Sequence, residues 1–157
     1  MPTLMSRIRW LVAALPLLAV PTGANAQQFG AQVGFRDDQI LIAEPARQGG
    51  AATIRVYERD GDSWQEAGAI LAPPHEGADY FGRFFVMDER SFIAGGTLFE
   101  NSTGAVWIYD RNGSELELAQ VLQPEALAEG DSFGRFGALY GDLLFVSALG
   151  HEQIGAV

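Results

Sequence analysis

Two histidines, His75 and His151, and a scatter of neighbouring carboxylates are the side chains of this sequence best equipped for proton transfer or metal binding. Neither histidine stands at a metal-ligand spacing from another ligand-type residue. His75 follows Pro73-Pro74 and reads as a solvated connector, and His151 also falls in a loop. The pairs Asp37-Asp38 and Asp88-Glu89 could do acid–base work in principle, and Asp60 with Asp62 around Gly61 is a weak Asp-x-Asp pair of the kind a calcium loop uses. Adjacent carboxylates point apart on an extended chain, and in turns of an acidic protein they serve as solvating charge. No nucleophile-elbow motif is present, and with no cysteine there is no thiol nucleophile, no disulfide staple and no lipid-modified N-terminal cysteine. The side chains therefore point away from catalysis and from a bound cofactor or metal.

The elements that would position them repeat. Phe-Gly occurs at Phe29-Gly30, Phe81-Gly82 and Phe133-Gly134, at a constant interval of 52 residues, with Tyr57 and Tyr109 and then Gly61 and Gly113 at the same spacing. Apolar runs of four to seven residues, rich in Ile, Val, Phe, Tyr and Trp, are cut by Gly, Asp, Asn and Pro. That pattern has the strand signature and lacks helical spacing. It predicts strands near 31–35, 39–44, 53–59 and 64–71, then near 82–87, 91–95, 104–110 and 115–122. Arg59-Asp60-Gly61-Asp62 and Arg111-Asn112-Gly113-Ser114 fall between the third and fourth strands of their units and read as hairpin turns.

Four strands per unit at this period predict an all-β fold, a partial β-propeller of about two and a half blades, with a β-sandwich as the rival. The third unit keeps Leu144-Phe145-Val146-Ser147 and then Gly155-Ala156-Val157. Since a seven-bladed ring at this period needs about 360 residues, the expectation is an N-terminal fragment of a longer chain, or an arc completed by self-association. The aromatic residues Phe29, Phe81, Phe84, Phe85, Phe92, Phe133 and Phe136 are assigned to packing between units, and Gly82 and Gly134 to close backbone approach.

Phe-Gly at the head of each unit, a small-residue stretch after the second strand (Ile42-Ala43-Glu44-Pro45, Ile93-Ala94-Gly95-Gly96, Val146-Ser147-Ala148), then Gly-Ala-Val and an aromatic strand, resembles the FG-GAP repeat. This is the blade motif of integrin alpha-subunit propellers and of many bacterial secreted proteins. Ser63-Trp64, Gly77-Ala78-Asp79-Tyr80 and Gly130-Asp131-Ser132 are similar to the bacterial variety, and the likeness spans residues 29–157. The Gly-Ala-Pro element of the family survives only as Ala43-Glu44-Pro45. Family members often carry an Asp-rich calcium loop between their first two strands. Here Arg36-Asp37-Asp38-Gln39, Met87-Asp88-Glu89-Arg90 and Tyr140-Gly141-Asp142 are too short and too poor in carboxylates for the six to eight oxygens calcium requires, so they read as hairpin turns.

Residues 1–26 form a separate segment. Arg7 and Arg9, an apolar stretch from Trp10 to Val20 and Ala24-Asn25-Ala26 predict a secretory signal peptide cleaved after Ala26, leaving residues 27–157 secreted, periplasmic or at the cell surface. The chain carries 20 acidic residues against 10 arginines and no lysine, a net charge of −10. Such a surface repels nucleic acid and anionic membranes. The resemblance implies an exported binding or adhesion module for a protein or polysaccharide, without catalysis. Two alternatives stand beside it: a structural repeat belonging to a larger surface protein, and an exported propeller enzyme such as a polysaccharide lyase. Asn101-Ser102-Thr103 and Asn112-Gly113-Ser114 are glycosylation sequons by pattern alone.

Overall fold

The computed structural model describes residues 29–36, 38–46, 52–73, 80–97, 99–112 and 115–157. The leader, Asp37, His75, Gly77-Ala78-Asp79, Gly113 and Ser114 lie outside the described residues. Among the described residues ten strands form three antiparallel sheets. The first sheet runs β1 (Val33–Arg36), β2 (Gln39–Glu44), β3 (Thr53–Asp60) and β4 (Ser63–Leu71) in chain order. The second repeats it as β5 (Phe84–Met87), β6 (Ser91–Gly96), β7 (Ala105–Asn112) and β8 (Glu115–Leu122). The third pairs β9 (Phe133–Tyr140) with β10 (Leu143–Ala148). The eight strands of the first two sheets match the predicted ones to within about two residues. They form because β-branched and aromatic residues alternate between two faces and turn residues interrupt them.

The repeat extends to backbone detail. Register shifts fall between Val56 and Tyr57 in the first sheet and between Ile108 and Tyr109 in the second, so the repeated tyrosine marks a β-bulge opposite Ala67 and Ala119. The β3–β4 hairpin differs in one respect from the reading above. Asp60 pairs with Ser63 on the strands, and the two loop residues are Gly61 and Asp62, with φ of 61° at Gly61. Glycine thus takes the first central position of the turn, where a left-handed conformation is needed. The β9–β10 hairpin repeats the choice with Gly141 (φ 57°) and Asp142.

The second sheet lies between the other two. Phe85, Phe92, Ala94, Trp107 and Tyr109 on one of its faces form a single buried cluster with Leu41, Ala43 and Ile54 of the first sheet. Phe84, Ile93 and Val106 on its other face cluster with Phe133, Val146 and Ala148. Both faces of β6 and β7 are therefore apolar, as strands covered on two sides must be. Close approach is built from small residues: a Cβ placed on Gly34 would lie 2.5 Å from the Phe85 ring, and one on Gly137 would run into that of Phe84. Gln32 joins the first two sheets by gripping the Phe85 backbone, its amide nitrogen donating to the carbonyl and its amide oxygen accepting from the N–H.

Candidate functional site

The Phe-Gly heads are docking elements between sheets. Gly82 and Gly134 hold φ of 78° and 85°, and the preceding Tyr80 and Ser132 are left-handed too, at 64° and 54°. A Cβ on Gly82 would meet Cγ1 of Ile54 at 2.8 Å and Ala43 at 3.5 Å. One on Gly134 would meet the Ala105 carbonyl at 2.6 Å, Val106 at 3.2 Å and Gly95 at 3.3 Å. Ile54 and Ala43 stand 52 residues before Val106 and Gly95, so each head seats on the same two strands of the unit before it. Phe81 is fully buried, edge-on to Trp107 with ring centroids 5.6 Å apart, and Phe133 is buried as well. Phe29 differs: it is 52% exposed, and Gly30, at φ 80°, has no atom within 4 Å of a built Cβ. Phe136, assigned above to packing, is likewise exposed, because among the described residues no sheet covers that side of β9.

Between the first and second sheets a cleft of about 470 Å³ opens at the hairpin end. Its floor is Leu41, Val56 and Ile70 from one sheet and Met87, Phe92 and Tyr109 from the other. The Phe92 and Tyr109 rings lie 5.9 Å apart, and burial pushes the Tyr109 phenol up to about 12, so it stays a neutral donor across the physiological range. Gln39, Glu58 and Arg111 form the rim. The Gln39 amide donates to Glu58 Oε1 at 2.9 Å, and the Arg111 Nη1 donates to the Asp88 carbonyl at 2.7 Å. Apolar rings with a few fixed polar groups are the common chemistry of a binding cleft. Among the described residues Glu58 is the one carboxylate in the lining.

Two of the carboxylates singled out from sequence, Asp88 and Asp60, are engaged within their own hairpins. Asp88 accepts from the backbone N–H groups of Arg90 (2.8 Å) and Ser91 (2.7 Å), which hold its carboxyl below the usual range and close the β5–β6 hairpin. Asp60 Oδ2 accepts from the Gln65 amide at 2.7 Å. Tyr57 is buried on the first sheet, on the side away from the cleft that Tyr109 lines. Among the described residues no group of three or more His, Asp or Glu side chains could hold a metal ion. None of their helices is long and apolar enough to cross a membrane.

Two polar constellations emerge that spacing alone did not show. Buried Asp131 accepts from the Ala128 N–H at 2.9 Å and pairs with His151 Nδ1 at 2.8 Å, tying the loop before β9 to the 3₁₀ turn at His151–Gln153. The Ala128 N–H and then His151 lower the Asp131 carboxyl, and the Asp131 hydrogen bond raises the His151 imidazole. On the outward side of the first sheet, Arg55 bridges Glu44 and Glu66, both at 2.8 Å. Arg55 occupies the repeat position of Trp107, Glu44 that of Gly96 and Glu66 that of Leu118, so a polar trio stands where the second sheet is apolar. Comparison with protein-family models, with curated proteins and with solved structures returns no match to this chain.

Proposed function

We propose that this chain is an exported, non-catalytic binding module, a partial β-propeller of FG-GAP-like blades that takes a protein or polysaccharide segment into the cleft between its first two sheets. The observation that carries the reading is the cleft itself: the Phe92 and Tyr109 rings form an apolar platform beside the polar rim of Gln39, Glu58 and Arg111. A sugar ring or an extended peptide presents the matching combination of a flat apolar face and hydrogen-bonding edges. The blade reading is supported by the recurrence of strands, bulges and left-handed Phe-Gly heads at one period. The export reading rests on the three-part leader in residues 1–26.

Glycan-array and peptide-library binding by the purified protein tests the proposal, with Tyr109→Phe and Glu58→Gln as probes. Tyr109→Phe removes a hydroxyl and Glu58→Gln a negative charge while the shape of the cleft is kept, and each is expected to weaken a bound ligand by about tenfold or more, roughly 1.4 kcal/mol, at unchanged melting temperature. Unaltered affinity in both variants would remove the cleft from consideration. Release of unsaturated products from a glycan would replace the binding reading with that of a lyase. N-terminal sequencing of the protein recovered outside the cytoplasm is expected to begin at Gln27.

A further inference from the structure

The third sheet turns an apolar face outward. Along β9 and β10 the outward positions are Phe136, Ala138, Tyr140, Leu143 and Phe145, with the Arg135 guanidinium lying 5.8 Å from the Phe136 ring centroid. Phe136 is 58% exposed and Phe145 49%. Their repeat equivalents, Phe84 and Ile93, are each only 3% exposed, because in the second sheet that face is covered by the third. At the other end of the stack, Val33 and Phe35 point away from the second sheet and are 46% and 73% exposed. They stand 52 residues before Phe85 and Met87, which cover the first sheet in the internal interface. Gly30 already holds the left-handed conformation of the docked Gly82 and Gly134, with open space around it.

We infer that these two faces pair between copies, the first sheet of one molecule seating on the third sheet of the next, head to tail. The partner is a second copy of this chain, and the contact continues the interface already made twice within it. The register of the internal interfaces places both Phe136 and the small Ala138 against Val33 of the neighbouring copy, with its Phe35 on the far side of Ala138. Inside the chain the same positions set Phe84 beside Gly137 and Phe85 and Met87 beside Gly34, each a large side chain against a glycine. The Arg55, Glu44 and Glu66 trio does not oppose this docking. It lies over β3, β4 and the end of β2, whereas the two strands of the third sheet reach only the β1–β2 half, so the ion pairs stay in water. A contact between two different surfaces of one chain generates a ring if its rotation closes and a filament if it does not. The inference is independent of what the cleft binds.

Light scattering after size exclusion tests it on the protein expressed from its full coding sequence. One variant carries Phe136→Asp with Phe145→Asp, and the other carries Val33→Asp with Phe35→Asp. All four positions are exposed, and far-UV circular dichroism verifies folding. The unaltered protein is expected at a multiple of the chain mass across a dilution series, and each variant alone as a monomer. An equimolar mixture of the two variants retains one intact face of each kind and is expected to give a dimer and nothing larger. A monomeric unaltered protein overturns the inference. So does a Val33/Phe35 variant that keeps the full assembly mass, which would mean that third sheets pair with one another. Should an aspartate variant unfold, Phe136→Ser and Val33→Thr carry the same comparison.

Discussion

An alanine at position 82 would have to hold φ near 78° and set its Cβ 2.8 Å from Ile54 Cγ1, whereas at position 30 a φ of 80° meets open space. The left-handed conformation alone costs about 1–2 kcal/mol, and overpacking adds about 1–3 kcal/mol. Gly82→Ala is therefore expected to lose more stability than Gly30→Ala by that second amount, read as the difference between their urea unfolding curves. The Asp131–His151 pair gives a prediction of another kind. His151, raised in the fold, contributes fully below its ordinary value and loses its contribution as pH rises through its folded one. Asp131, lowered, contributes fully above its ordinary value and loses its contribution as pH falls through its folded one. The contact is thus whole between about pH 4 and 6.5, the ordinary values of the two groups. Asp131→Asn is expected to lower the His151 titration midpoint, followed by the imidazole proton shift in NMR; an unmoved midpoint would discount the pairing. The repeated Phe-Gly letters were legible in the sequence because type and spacing sufficed. This pair was not, since its members are 20 residues apart and only the third unit brings them together.

Strands and hairpins were legible for a physical reason: a strand needs only two-residue alternation and flanking turn residues, both local properties. Which face of each strand becomes covered is not local, so Phe81 and Phe29 looked equivalent until the stack supplied a neighbour for one and not for the other. Phe81→Ala is expected to cost about 3–5 kcal/mol, as for other fully buried aromatics. Phe29→Ala should cost well under that, the pair being compared by chemical denaturation. The second sheet is covered on both faces, so its strands open only when an interface on one side or the other is lost. Amides of β6 and β7 are expected to exchange slowest in deuterium labelling and those of β10 faster; equal rates would show that the sheets open as one unit. The outward trio of Arg55, Glu44 and Glu66 escaped the sequence reading because its members sit 11 residues apart across three strands, joined by pairing alone.

At the scale of the molecule, a net charge of −10 and two apolar ends act against each other. Like charges repel over a distance set by salt, about 10 Å at 0.1 M and about 3 Å at 1 M, while apolar burial is insensitive to that screening. Raising sodium chloride from low to moderate concentration is therefore expected to increase the assembled mass measured by light scattering, and a mass that falls with salt would assign the contact to ion pairs instead. The stack also has a bearing on how such a chain changes over generations. Tyr80 and Ser132, then Gly82 and Gly134, hold matching backbone angles one period apart, and each unit presents to the next the surface that it receives from the one before. A duplication or deletion of one whole 52-residue unit would join ends whose geometry already agrees, whereas an insertion of a single residue within a strand would turn every later side chain to the opposite face. Variation in length among descendants of this gene should accordingly come in whole units, with smaller changes confined to the hairpin turns.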